Sequence, residues 1–235
     1  VYQGRVTLVQ PETGFRAGFD SLALAAALPA MDKGEALELG CGSGGALLPA
    51  AFRVPGMRFT GVEQDAGTAA LAREGAGLNG FAARVEIETG EASGWAAGHE
   101  NRFDLVFANP PYFEPGKISP PGEGKSGAYI ESLPLEGWVK AMLFAARPRA
   151  PVVIIHRAAE LARLLALLDR QAGEITVLPI ASKADEPARR VLVRARKGLK
   201  RGPLTLLAPL VTHQADGSAR TESAQGIVEG LGISW

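Results

Sequence analysis

The sequence predicts a doubly wound α/β fold, and three observations predict it. Short apolar, strand-like runs alternate with helix-like segments through most of the chain. One such run, residues 36–39, leads into the glycine-rich turn Gly40-Cys41-Gly42-Ser43-Gly44-Gly45, and a helix-like segment follows at once. Another, residues 103–108, stops abruptly at Asn109-Pro110-Pro111-Tyr112, so a buried strand feeds a rigid loop.

Taken in order, residues 6–9 read as a short strand. Gly14-Phe15-Arg16-Ala17-Gly18-Phe19 follows as a glycine-hinged segment, and Asp20 or Ser21 caps a helix that runs to about Leu28 and stops at Pro29. Residues 36–39 form a strand. Residues 46–52 form a helix in which Pro49 is tolerable only within the first turn. A second strand spans 59–63, a helix spans 66–78 and ends at Asn79-Gly80, a third strand spans 85–88 and a fourth spans 103–108. Residues 113–133 are rich in Gly, Pro and Ser, carry Lys117 and Lys125, and read as a long loop of functional length. A helix over 135–146, a strand over 152–155, a helix over 158–169 and strands over 175–179 and 191–195 complete the alternation. No internal repeat or domain boundary interrupts it. The expectation is one domain over residues 1–235, with a short N-terminal extension (about 1–33) and a C-terminal one (about 203–235).

With 235 residues, 46% of them hydrophobic, the chain can bury one sizeable core. Its single cysteine, Cys41, excludes an internal disulfide framework and fits a reducing, cytoplasmic setting. No apolar run approaches the roughly 20 residues that span a bilayer, so no membrane partner is expected. The chain opens on Val1 rather than Met, which leaves an upstream segment open. Lys and Arg (25) balance Asp and Glu (25), but unevenly along the chain. Residues 35–104 are mainly acidic. Between Lys183 and Arg201 stand Arg189, Arg190, Arg194, Arg196, Lys197 and Lys200 against Asp185 and Glu186 only. A basic cluster is more often a solvated face than a binding site, so its location decides its meaning.

The glycine turn admits a ligand close to the backbone. Gly40, Gly42 and Gly45 satisfy the dinucleotide fingerprint GxGxxG, and Glu63 lies where that fingerprint places a ribose-binding acid. A nicotinamide-dependent dehydrogenase is therefore one reading. Glu38 opposes it, because an acid two residues before the first glycine would repel a pyrophosphate across the turn. The same acid suits the ammonium and sulfonium of S-adenosyl-L-methionine (AdoMet). Glu63 can accept from both ribose hydroxyls, Glu91 can accept from the adenine amine, and the Ala92 amide faces the ring. Three acids at successive strand ends, with the turn, favour AdoMet.

Asn109-Pro110-Pro111-Tyr112 supplies the other half of the chemistry. Neither proline donates a backbone hydrogen bond, and Pro111 forces Pro110 into an extended conformation. The Pro110 carbonyl and the Asn109 side-chain oxygen then form a fixed pair of acceptors, with Tyr112 as a flat face beside them. Such a site suits a planar group bearing an NH2, such as a nucleobase amine or a carboxamide. With both hydrogens accepted, the nitrogen can pyramidalise and aim its lone pair at a methyl donor, so catalysis is positioning and electrostatics. No dedicated base, metal cluster or Cys–His pair is needed. Cys41 reads as a small packing residue, His99 and His213 have no nameable partner, and His156 reads as core.

The order Glu38-Leu39-Gly40-Cys41-Gly42-Ser43-Gly44, Glu63, Glu91 and Asn109-Pro110-Pro111-Tyr112 resembles the class I AdoMet-dependent methyltransferases acting on amino groups. Adding Gln10-Pro11, Gly14-Phe15-Arg16-Ala17-Gly18-Phe19-Asp20 and Pro187-Ala188-Arg189-Arg190-Val191-Leu192-Val193, the chain is similar to the bacterial family that methylates adenine N6 beside the anticodon of valine tRNA. The resemblance implies a mostly parallel seven-stranded, Rossmann-like sheet whose last strand is antiparallel. It implies AdoMet as cofactor, held by Glu38, Gly40, Gly42, Gly44, Glu63, Gln64, Glu91, Ala92 and Asn109, and no metal. Asn109, Pro110 and Tyr112 would carry catalysis. Pro111, Arg16, Lys183, Arg189 and Arg190 would meet the substrate, an RNA and specifically tRNA. An antiparallel last strand begins at the edge where the parallel strands end, which brings Lys183, Arg189 and Arg190 near the site and sends Lys197, Lys200 and Arg201 to the far edge. Protein glutamine and guanine-N2 methylation remain alternatives at the same acceptor pair. The oligomeric state stays open.

Overall fold

The computed structural model describes residues 1–12, 16–111 and 133–235. Tyr112 and nearly all of the loop expected over 113–133 lie outside the described residues. Strands β1 (Gly34–Leu39), β2 (Met57–Glu63), β3 (Val85–Thr89), β4 (Leu105–Ala108), β5 (Pro151–Arg157), β6 (Ala172–Ala181) and β7 (Arg190–Lys197) join in the order β3-β2-β1-β4-β5-β7-β6. Strands β1 to β5 pair in parallel, and β7 runs antiparallel to both β5 and β6. The expected doubly wound sheet with an antiparallel last strand is thus present. Two further strands of two residues each, β8 (Thr205–Leu206) and β9 (Leu210–Val211), pair with β6 and raise the count among the described residues to nine.

Helices α1 (Phe19–Ala27), α2 (Leu47–Arg53), α3 (Ala66–Leu78), α4 (Ala92–Ala96), α5 (Leu135–Ala145), α6 (Leu161–Leu168) and α7 (Glu222–Val228) cover the two faces. The strands read as unbroken apolar runs because both their faces are buried. Alternate residues of β4 and β5 go to opposite cores. Leu105, Phe107, Val153 and Ile155 pack with α1 and α2, while Val106, Ala108, Val152 and Ile154 pack with α5. Pro49 falls in the first turn of α2, where its missing N–H costs nothing. Among the described residues no helix is long and apolar enough to cross a membrane.

Several local expectations are corrected. Residues 6–9 form no strand, because an amide side chain replaces the ladder. Thr7 N donates to Asn79 Oδ1 at 2.9 Å, and Asn79 Nδ2 donates to the Thr7 carbonyl at 2.7 Å. The first helix starts at Phe19 behind Gly18, so neither Asp20 nor Ser21 is its cap. Asp20 instead pairs with Arg190, and Ser21 is buried. The fourth strand pairs in the ladder only from Leu105, Phe103 making a lone bridge to Ala146. The segment expected as one helix over 158–169 opens with a 3-10 turn, Ala158–Glu160.

The two ends of the chain meet around α1. A helix leaves its last carbonyls without intrahelical partners, and here distant groups supply them. Arg53 donates to the Ala25 carbonyl at 2.5 Å, Ile233 N to Ala26 at 2.8 Å, and the Trp235 indole to Ala27 at 2.9 Å. The Arg194 guanidinium lies over the Trp235 ring, and Arg5 reaches the Glu229 carbonyl.

Candidate active site

The sheet order reverses between β1 and β4, and in such sheets a crevice opens beyond the carboxyl ends of the strands. Here it is a cavity of ≈ 640 Å³. The ends of β1 to β4 form its floor, Pro11, Ala17 and Ser21 one wall, and Leu133 and Trp138 another.

The glycine turn after β1 is pinned to β2, since Gly40 N and Cys41 N both donate to the Val62 carbonyl, at 2.8 and 3.0 Å. Gly40, Gly42 and Gly44 all have positive φ, which favours glycine, but their surroundings differ. A Cβ on Gly40 would lie 2.6 Å from Cη2 of Trp138, and one on Gly44 would lie 3.0 Å from Leu48. Around Gly42 there is nothing within 4 Å. The open approach is therefore at Gly42. Gly40 makes room for an indole ring, and Gly44, outside the cavity wall, makes room for α2. Cys41 is buried beside Gly61, as a small packing residue should be.

The three acids divide in role. Glu38 is 2% exposed and takes a hydrogen bond from the Leu47 amide, while its Oε2 has no partner among the described residues. Burial pushes its carboxyl well above the ordinary carboxylate range, and the charge of Glu63 adds to the shift. Glu63 is half-buried. Its Oε2 accepts from Gly42 N at 3.0 Å and its Oε1 from Asp65 N at 2.9 Å, so it ties the turn to the end of β2. Gln64 beside it is exposed and lines the cavity. Glu91 caps α4, accepting from Ser93 N, Ser93 Oγ and Gly94 N at 2.9, 2.7 and 2.7 Å. Burial raises the Glu91 carboxyl, but these bonds outweigh it and hold it below its usual value. Ala92, buried behind it, belongs to the same wall.

At the end of β4, Asn109 is half-buried, Pro110 buried and Pro111 exposed, and all three line the cavity. Arg190 starts β7 opposite Arg157, at the end of β5, so the start of the antiparallel strand does face the site's edge. Lys183 and Arg189 lie on the connection just before it, outside the cavity wall. Arg190 is bound to Asp20 at 2.8 Å. Arg16 is exposed next to Ala17 of the wall. Lys197, at the end of β7, donates to Asn101 and to the Ala146 carbonyl, and Arg201 pairs with Asp169, so these cations hold the far edge together.

Known proteins share this fold. The family described as the methyltransferase small domain matches residues 16–120, and the whole fold overlays a predicted O-methyltransferase from Agrobacterium tumefaciens. That likeness has a TM-score of 0.76 and 25% identity, and covers 92% of this chain and 98% of that one. The chain is an AdoMet-dependent methyltransferase with the class I fold. It resembles a tRNA1(Val) (adenine(37)-N6)-methyltransferase of Dickeya chrysanthemi, 29% identical over 78% of this chain and 73% of the relative. A protein of the same name from Salmonella enteritidis is 36% identical over 43% of this chain, a match spanning 42% of that relative's length. A tRNA (m1A58) methyltransferase from Aquifex aeolicus shares the fold, with a TM-score of 0.55 at 18% identity over 81% of this chain and 72% of that one.

Sequence reasoning missed several parts of the methyltransferase's cavity. Trp138 and Leu133 carry no local signal of a site, and Pro11, Ala17 and Ser21 reach the wall only through tertiary packing. His99 does have partners: it stacks on Trp95 at 3.7 Å, and its Nδ1 lies 2.8 Å from the Trp95 carbonyl. His156 is buried and lies outside the cavity wall, and His213 bonds Thr212.

Proposed function

We propose that this methyltransferase transfers a methyl group to the N6 amine of an adenine in tRNA. The observation that carries the reading is Asn109-Pro110-Pro111 opening into the same cavity as Glu38, Gly42 and Glu63. The cavity fits AdoMet on its donor set. Glu38 offers a buried, unpartnered carboxylate oxygen to a cation, Gly42 leaves space against the backbone, and Glu63 stands at the end of β2 for the ribose. Gln64, Glu91 and Ala92 border the place of the adenine ring. Glu91 keeps lone-pair capacity beyond its capping bonds.

When bound, AdoMet supplies an electrophilic methyl on a sulfonium. The chain's own part is to present the acceptor nitrogen. Asn109 Oδ1 and the Pro110 carbonyl take the two hydrogens of the target amine, which frees its lone pair from the ring. Tyr112 and Pro111 hold the base flat. Lys183, Arg189 and Arg16 rim the same edge and suit the phosphates of an RNA strand, and the names of the Dickeya and Salmonella relatives support tRNA as that RNA. An oxygen acceptor, as in the name of the Agrobacterium neighbour, would have one hydrogen to give to two acceptors.

The test is mass spectrometry of nucleosides from tRNA incubated with the protein and isotopically labelled AdoMet. Label in N6-methyladenosine is the expected result. Label in N2-methylguanosine, or transfer only to a glutamine peptide, would replace the substrate while keeping the cofactor.

A further inference from the structure

Two buried polar atoms without hydrogen-bond partners among the described residues, Glu38 Oε2 and Trp138 Nε1, belong to residues that line the same cavity. They are of opposite sense. One accepts a hydrogen bond and the other can only donate one. Trp138 is 7% exposed, and leaving a buried donor unpaired carries a substantial free-energy cost, so its persistence calls for a partner from outside the chain.

The amino-acid end of AdoMet bears an ammonium and a carboxylate side by side. Backbone amides of a glycine turn are the usual resource for an anion, but four of those here are committed. Gly40 N and Cys41 N donate to Val62, Gly42 N to Glu63, and Gly44 N to Cys41. A carboxylate lying beside Gly40 and Gly42 therefore finds no backbone donor at those two positions. Trp138 sits against Gly40, its ring so close that Gly40 has no room for a Cβ. We propose that Trp138 is a cofactor-binding residue whose indole N–H donates to the AdoMet carboxylate, opposite the ammonium held by Glu38. Gly40 is then fixed as glycine by the indole, and the pair Glu38–Trp138 reads the zwitterion.

The inference rests on the reading of this cavity as the AdoMet site, and the experiment separates the two. Calorimetry compares AdoMet with decarboxylated AdoMet, which keeps the ammonium and sulfonium, on the wild-type chain and on Trp138→Phe. The wild type should prefer AdoMet. Trp138→Phe should weaken AdoMet roughly ten- to a hundredfold, the scale of a hydrogen bond to a charged group, and leave the decarboxylated ligand unchanged. Equal losses for both ligands would mean that Trp138 only packs, and no loss for either would also overturn the proposal. Wild-type chain that binds neither ligand removes the cavity reading and the inference with it. A second readout needs no variant of uncertain folding. Among the three tryptophan indole N–H resonances, that of Trp138 should move downfield on adding AdoMet and stay in place on adding the decarboxylated ligand.

Discussion

Cofactor binding is expected to release a proton from Glu38. In the free protein its carboxyl is buried, has one backbone donor, and is held well above the ordinary carboxylate range. An ammonium beside it restores the charged form, so the bound state prefers ionised Glu38. Below the raised pKa, binding must expel one proton. The affinity for AdoMet then rises tenfold per pH unit, about 1.4 kcal/mol, between the bound-state and free-state pKa, and levels off above the latter. Stability of the free protein moves the other way. The unfolded chain gives up this proton in the normal glutamate range while the folded chain retains it, so stability falls by up to the same slope as pH rises through that window. Calorimetry in buffers of different ionisation enthalpy counts the released proton directly. Glu38→Gln should abolish the release, weaken AdoMet by tens of fold, and raise the melting temperature of the free protein above that of the wild type at the alkaline end. A pH-independent Kd in the wild type, or a slope that survives in Glu38→Gln, would refute the reasoning.

Asn109→Ala should leave AdoMet affinity similar and slow single-turnover methyl transfer by about two orders of magnitude, the scale for removing one preorganised polar group; a parallel loss of melting temperature and AdoMet binding would show that Asn109 only shapes the turn. Arg189→Ala should lower the salt dependence of RNA binding by about one phosphate contact, while Lys200→Ala leaves it unchanged, as a salt titration of both variants would show. Arg190→Ala should additionally lower the melting temperature, because it breaks the pair with Asp20. Gly40→Ala places a Cβ at positive φ against the Trp138 ring and should cost about 2–4 kcal/mol in urea unfolding.

The sheet is legible because its central strands are buried on both faces and so appear as uninterrupted apolar runs, while its turns carry glycine and proline where backbone geometry demands them. What escapes is decided by partners distant in sequence. Nothing local distinguishes Gly40, which serves Trp138, from Gly42, which faces the cavity. Arg190 reads as a cation turned to the substrate edge, yet its guanidinium is engaged by Asp20, 170 positions away in sequence. Glu38 reads as an ordinary carboxylate from its place before the turn, whereas burial pushes its carboxyl well above the usual range. Helix α4 is five residues long and is announced only by Glu91 before Ser93 and Gly94, a cap whose helix is too short to show a period.

The clasp around α1 bears on how the protein is made. Its anchor, the indole of Trp235, closes on Ala27 across a sequence separation of 208. Contacts of that span are assembled slowly, because a long loop must close before they reward the chain. Ser21 of the cavity wall sits on α1 itself, so closing the two ends of the chain on that helix also fixes one wall of the cofactor's cavity.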